Sequence, residues 1–162
     1  MLKIYNDFIG LNISGLLDLY QESMKMAAKQ EGISLRQAED SFIDYLRNDF
    51  FSCRDSFYAV LTRENKYMSA VRMEPHLDGW LLSGLETHPE HRSAGNAEEL
   101  INQVLLQVCN GPVYVHVHKK NPASLAVHKK CGFEVISDYG KLLDGTVSRE
   151  YCTLINRNAH SA

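Results

Sequence analysis

No apolar run in this chain approaches the roughly 20 residues needed to span a bilayer. The opening MLKIYNDFIGLN also lacks the longer apolar segment and the cleavage site of a secretory signal. A membrane is not an expected partner, and a cytoplasmic location is the default. Net charge at pH 7 is only −3, with 17 Lys and Arg scattered among 20 Asp and Glu. No basic stripe exists to neutralise a run of phosphates, so nucleic acid is not an expected partner either. Cys53, Cys109, Cys131 and Cys152 form no CxxC pair, which argues against a zinc ribbon or redox motif and for reduced, mostly buried thiols. His116 and His118 share a strand face with Tyr114, but no third ligand stands at convincing spacing, and no metal is expected. Neither GxGxxG nor GxxxxGK(S/T) occurs, which weakens any reading as an ordinary nucleotide-binding domain.

What is present is ordinary in bulk. The 162 residues are 44% apolar and 23% charged, enough for one buried core and far from the composition of a disordered chain. There is no repeat, low-complexity tract or linker, so a single domain is expected over residues 1–157, with 158–162 as a flexible tail.

The periodicity changes along the chain. LKIYNDF suits a first strand, and Gly10 with Asn12 marks a break. Ile13, Leu17, Tyr20, Met24 and Ala27 then recur at helical spacing, with Gly32 placed for a left-handed cap. Ser34 and Gln37 form a capping-box pattern that opens a second helix with Leu35, Ala38, Phe42, Tyr45 and Leu46 on its apolar face. FYAVLT, KYMSAVRM and GWLLSGLET read as three antiparallel strands, the first two joined tightly at Glu64 and Asn65. A helix follows over about 95–108, keeping Ala97, Leu100, Ile101, Val104, Leu105 and Val108 on one side. A strand over 113–118, a helix over 122–131 and strands over 133–137 and 149–155 complete the pattern, with turn signals at Gly140 and at Asp144-Gly145. The fold class is mixed α+β around one sheet, with about four helices.

The segment THPEHRSAGNAEELINQVL is the most informative. It places a strand end, a short turn with Arg92, Gly95 and Ala97, and an amphipathic helix in succession. That order aims free backbone N–H groups and about half a positive charge at an anion, and a pyrophosphate is the ligand it suits. The later strand PVYVHVH and the short helix of NPASLAVHKKCGF suggest that the pyrophosphate belongs to an acyl-CoA. Lys119, Lys120, Lys129 and Lys130 cluster near that helix, where they attract phosphate or simply form a solvated face.

Two motifs carry a family resemblance. The sequence Arg92, Ser93, Ala94, Gly95, Asn96, Ala97 is similar to the pyrophosphate loop Q/R-x-x-G-x-G/A of GCN5-related N-acetyltransferases, the GNAT superfamily. Asn121, Ser124, Lys130, Gly132 and Phe133 match the family's second signature, and the element order agrees along essentially the whole chain. Three positions depart from the common pattern: Ser93 where many relatives have Gly, Asn96 where an aliphatic residue is usual, and His128 where many have Tyr.

The resemblance implies a predominantly antiparallel central sheet splayed between its fourth and fifth strands. Pantetheine would lie in the splay, paired with backbone groups of Leu85 and Thr87, while Asn121 and Ser124 contact the cofactor. Asn121 is equally suited to capping its own helix. It further implies direct transfer of acetyl from acetyl-CoA to a primary amine, without a metal. Glu86 is the candidate base, or else a surface carboxylate or a contact for the substrate ammonium. Strand alternation would set it on the face of Trp80, Leu82 and Gly84. His128 is the candidate acid, against a packing role, and Tyr139 is its possible substitute. The acceptor, a small-molecule or peptide amine, would be chosen by residues 21–54 and 137–149, where Asp44, Asp49, Asp138 and Asp144 favour a cation. A non-catalytic acyl-CoA-binding module is the alternative. Exposed edge strands leave room for a homodimer.

Overall fold

The computed structural model describes residues 1–108 and 111–157. Strands β1 (Leu2–Tyr5), β2 (Phe57–Arg63), β3 (Lys66–His76), β4 (Gly79–Thr87), β5 (Val113–His118), β6 (Glu134–Ser137) and β9 (Tyr151–Asn156) form one sheet in the order β1-β2-β3-β4-β5-β9-β6. Every neighbouring pair is antiparallel except β4 with β5. That parallel pair has three rungs, Trp80 to Val113, Leu81 to Tyr114 and Leu82 to Val115, after which the strands part. Strands β7 (Gly140–Lys141) and β8 (Val147–Ser148) make a separate small hairpin. The sequence expectation of a mixed α+β domain with a largely antiparallel, splayed sheet matches this topology.

Among the described residues there are five α-helices, one more than expected: α1 (Ile13–Leu19), α2 (Gln21–Glu31), α3 (Leu35–Tyr45), α4 (Asn96–Gln107) and α5 (Pro122–Lys130). The extra one arises because the first expected helix is interrupted at Tyr20, where ψ swings to 11°. Its buried residues are Leu16, Leu19, Tyr20, Met24 and Ala28, so the expected stripe through Leu17 and Ala27 is displaced on both sides of the break. Local caps are as the sequence indicates. Gly32 ends α2 at φ 67°, and Ser34 and Gln37 form a reciprocal capping box at α3. Leu35, expected on the apolar face, is exposed because it sits in the first turn, beyond the packed stripe.

Strand alternation divides the core in two. Phe57, Ala59, Leu61, Val71, Met73 and Leu82 pack under α4 with Leu100, Ile101, Val104 and Leu105. Tyr58, Val60 and Ala70 face the other way, onto Leu16, Leu19, Tyr20 and Met24 of α1 and α2 and onto Leu46 and Phe50 of a π-helical turn after α3. Glu64 and Asn65, at φ 51° and 64°, make the left-handed two-residue turn that suits a twisted hairpin. Cys131 and Cys152 are buried but Cys53 is exposed, which corrects the expectation for that thiol. Cys109 and the tail residues 158–162 lie outside the described residues. No helix among the described residues is long and apolar enough to cross a membrane.

Candidate active site

The site grows from an irregularity in β4. Ala70 pairs with Glu86 and Arg72 with Ser83, so Gly84 and Leu85 together oppose the single residue Val71. This is a one-residue bulge, which reverses the facing of every later side chain on the strand. Gly84 has φ 63°, and a Cβ there would lie 2.7 Å from the Arg72 guanidinium, so only glycine fits. Unbroken alternation would have put Glu86 on the side of Leu82, under α4. The bulge instead turns Glu86 towards α2, while Leu85 packs on the α4 side.

Against α2 the Glu86 carboxylate accepts a 2.6 Å hydrogen bond from Ser23 Oγ. Burial raises its pKa, opposed by that hydrogen bond and by Arg92. Arg92 Nη2 is 4.0 Å from Glu86, and its other terminal nitrogen donates to Glu22 of α2 at 2.8 Å. The loop arginine therefore ties the β4 carboxylate to the helix that covers it.

Sequence reasoning missed the residues that hold the bulge. An Arg72 amine group donates to Tyr58 Oη at 3.3 Å, Tyr58 donates to Tyr20 Oη at 2.8 Å, and Tyr20 donates to the Gly84 carbonyl. Each hydroxyl accepts one bond and donates the next, so the relay is fully directed. Tyr20 and Tyr58 are kept in the phenol form by burial, which raises both pKa values. The guanidinium sits 5.5 Å from the Tyr45 ring centre and 5.8 Å from that of Phe42. The available signal was a lone arginine inside the otherwise strand-like run KYMSAVRM.

Past Thr87, whose hydroxyl lies 3.1 Å from that of Ser69, the chain makes a short 3-10 turn, Pro89–His91. His88 anchors it: Nε2 lies 2.7 Å from Asp18 of α1 and Nδ1 accepts from the Glu90 N–H. His88, Glu90 and His91 bring ligand-type atoms within 4.8 Å of one another, yet both His88 nitrogens already have these protein partners. Ser93 and Gly95 take left-handed φ values of 61° and 81°. Asn96 opens α4 from a buried position and donates to the His91 carbonyl at 2.9 Å, a loop staple that an aliphatic residue could not supply.

The N-terminus of α4 has no side-chain cap, so its first N–H groups are free of one. A Cβ placed on Gly95 would meet no atom within 4 Å, so the loop is open to close approach. Ala94 is exposed beside it and Ala97 lies partly buried in the first turn. The acids of that turn are engaged elsewhere, Glu98 with Lys130 at 2.9 Å and Glu99 with Arg63 at 3.2 Å. Lys130 thus has a carboxylate partner rather than standing free.

On α5, Asn121 Oδ1 accepts from the Ser124 N–H at 3.1 Å and caps its own helix. His128 is buried, with Nδ1 2.7 Å from the Ser124 carbonyl and its ring edge-on to Phe133. Nδ1 is therefore the protonated nitrogen, and Nε2 is buried without a partner among the described residues. Burial lowers this pKa. Tyr139 is 43% exposed, and its backbone carbonyl accepts from Thr153 Oγ1 at 2.8 Å. Glu86 and Arg92 are brought together at one end of α2, whereas the hydrogen bonds of the His128 side chain stay within α5.

A family profile described as the acetyltransferase (GNAT) family matches residues 16–133. The fold is similar to that of ribosomal-protein-S18-alanine N-acetyltransferase from Escherichia coli, with a TM-score of 0.63 at 14% identity, covering 97% of this chain and 94% of that one. It is also similar to PaiA N-acetyltransferase from Thermoplasma acidophilum in complex with coenzyme A, with a TM-score of 0.66 at 14% identity over 97% and 99% of the two chains. A variant of spermidine N-acetyltransferase from Vibrio cholerae gives a TM-score of 0.62 at 15% identity over 99% and 96%. A sequence search of curated proteins gives no significant match.

Proposed function

The chain belongs to the acetyltransferase (GNAT) family of acyltransferases, and from that premise we propose that it transfers acetyl from acetyl-CoA directly to a primary amine. The observation that carries this reading is the parting of β4 from β5 after Leu82 and Val115, on the strand that leads into the loop before α4. Residues 83–87 have no rung to β5 among the described residues, so the backbone of Leu85 and Thr87 takes pantetheine amides as an added strand would. The N–H groups around Ser93, Ala94, Gly95, Asn96 and Ala97, with the positive end of α4, take the diphosphate. Asn121 and Ser124 border the cofactor from the start of α5.

The protein groups divide the remaining work. Glu86, desolvated beside α2, receives the acceptor's ammonium group, and Glu22 adds a second carboxylate on that side. His128 has its only proton on Nδ1, committed to the Ser124 carbonyl, so it supports the site by packing and by an acceptor lone pair rather than as an acid. Tyr139, with an exposed side chain, supplies the proton for the leaving thiolate. Two carboxylates favour a cationic acceptor, a polyamine or a peptide amine, the kinds of amine named for the structural neighbours that act on spermidine and on a ribosomal-protein alanine.

The test is release of CoA from acetyl-CoA against polyamines, aminoglycosides, amino acids and peptides. Amine-dependent release supports the assignment and names the substrate class. Calorimetric binding of acetyl-CoA with no release from any amine would instead identify a binding module. Gly95→Val should abolish acetyl-CoA binding, because a side chain there enters the open approach and strains a left-handed backbone.

A further inference from the structure

A histidine on β5 has hydrogen bonds that fix where its proton sits. His116 Nδ1 lies 2.8 Å from Oγ1 of Thr153, the residue opposite it on β9. That hydroxyl has one hydrogen, donated to the Tyr139 carbonyl at 2.8 Å. Thr153 therefore accepts from His116, and Nδ1 is the protonated nitrogen of the neutral ring. Nε2 is left with a lone pair that no group among the described residues takes up.

The position of the ring adds to its chemistry. Val113, Val115 and Val117 turn into the core under α4, so Tyr114, His116 and His118 face the opposite side of the sheet, the side towards which Glu86 turns. The last parallel rung joins Leu82 to Val115. His116 is thus the first residue of β5 beyond that rung, at the root of the opening between the strands.

Resting on the acetyltransferase reading above, we propose that His116 is the general base of this enzyme, its Nε2 taking the proton that the acceptor ammonium must lose, with Thr153 as the positioning residue that fixes the tautomer. In the step, one N–H bond of the ammonium breaks and its proton goes to Nε2. The freed nitrogen lone pair forms the new C–N bond at the thioester carbonyl, and the C–S bond breaks with its electron pair leaving on sulfur. Tyr139 gives its phenol proton to the thiolate to make the free thiol and takes the second proton from the nitrogen in its place, and the imidazolium returns its proton to water. Glu86 binds the cation and His116 deprotonates it, so attraction and proton transfer fall to different groups.

The surroundings suit a base that is free at neutral pH. His76 of β3 lies 6.4 Å away between ring centres, and Lys141 of β7 is the nearby ammonium. Glu74 and Asp78 lie beside His76, Tyr114 and His118 flank His116 on β5, and Tyr151 accompanies Thr153 on β9. Burial, His76 and Lys141 together hold the His116 pKa below its ordinary value. A neutral imidazole is then the resting form.

The experiment compares wild type, His116→Gln, His116→Ala and Thr153→Val, using acetyl-CoA and whichever panel amine gives wild type its highest rate. His116→Gln should lose about 100-fold in kcat, keep its calorimetric affinity for acetyl-CoA, and lose the acid limb of the kcat/KM profile below neutrality. Added imidazole should restore part of the rate of His116→Ala. Thr153→Val should lose about 10-fold in kcat with KM little changed. Long-range proton–nitrogen NMR on the wild type should find His116 protonated at Nδ1. A His116→Gln variant with wild-type kcat and acid limb, or protonation at Nε2, overturns the assignment and leaves the acetyltransferase reading standing. Silence of the wild type towards every amine overturns both.

Discussion

The two faces of the central sheet solve opposite problems. Under α4, side chains such as Leu82, Leu100, Ile101 and Val104 are almost wholly buried and purely apolar. Under α1, α2 and α3 the same strands present Tyr58, Arg72, Ser83 and Glu86, and the helices answer with Tyr20 and Ser23. Arg72 Nε and Ser83 Oγ, cross-strand neighbours on this second face, are buried without a partner among the described residues. A folding core would not leave such atoms unpaired for stability alone, because each costs about 1–3 kcal/mol. The first face holds α4 and its loop in place. The second places polar groups beside the strands that part.

If that division is real, stability and activity separate between the faces. The largest effect is expected from Leu100→Ala, which empties a fully buried position and should cost about 3 kcal/mol in urea unfolding. Its kcat per folded molecule should stay within about twofold, since nothing polar on the site's side is touched. A parallel fall in kcat would show that the faces are not independent.

Glu86→Gln should do the reverse, lowering kcat/KM about 100-fold, which corresponds to about 2.7 kcal/mol of transition-state binding. Stability should hold or rise. Burial raises the folded pKa of Glu86 above its ordinary 4.5, so the stabilising protonated form is fully present below about that pH and is lost as pH rises through the folded value. Relative to wild type, the Gln variant should therefore gain thermal stability on going from pH 4 to pH 7. Equal melting temperatures across that range would mean that Glu86 is not desolvated.

Arg72→Met should have a smaller effect, about 10-fold in kcat, close to 1.4 kcal/mol. Exchanging a desolvated cation for an apolar chain of similar length is often near neutral for stability, but Tyr58 loses its donor and the relay to Gly84 loses its source. Unfolding of the variant would show that the polar face is a stability core after all.

The first face was also the more legible one. Its strands and the stripe of α4 follow from signals within a few residues of one another, as do the Gly32 cap and the Ser34 box of the helices on the other side. The place of the loop ahead of α4 was legible for the same reason. The second face depends on contacts far apart in sequence. The break at Tyr20 accompanies a bond to Gly84, which lies 64 residues away, and no local propensity encodes it. The Gly84 bulge moved Glu86 to the side of the sheet opposite the one that strand alternation implied. Arg72 looked like one charge in a strand until Tyr20, Tyr45 and Tyr58 gathered round it.

The smallest expected effect tests the loop that joins the two faces. Ser93 and Gly95 both adopt left-handed backbone, at φ 61° and 81°, yet only one of them is glycine. For an L residue this conformation costs about 1–2 kcal/mol, while glycine's extra freedom in the unfolded chain returns about 0.5–1 kcal/mol. Ser93→Gly should therefore raise stability by about 0.5 kcal/mol, read as a small upward shift of the urea midpoint, whereas Gly95→Ala should lower it by about 1 kcal/mol although its Cβ would meet nothing within 4 Å. Opposite signs at two positions of one loop would isolate backbone conformation from packing. A loss of stability in Ser93→Gly would instead assign the serine hydroxyl a bond that holds the loop, and would make the departure from glycine at this position a stabilising choice.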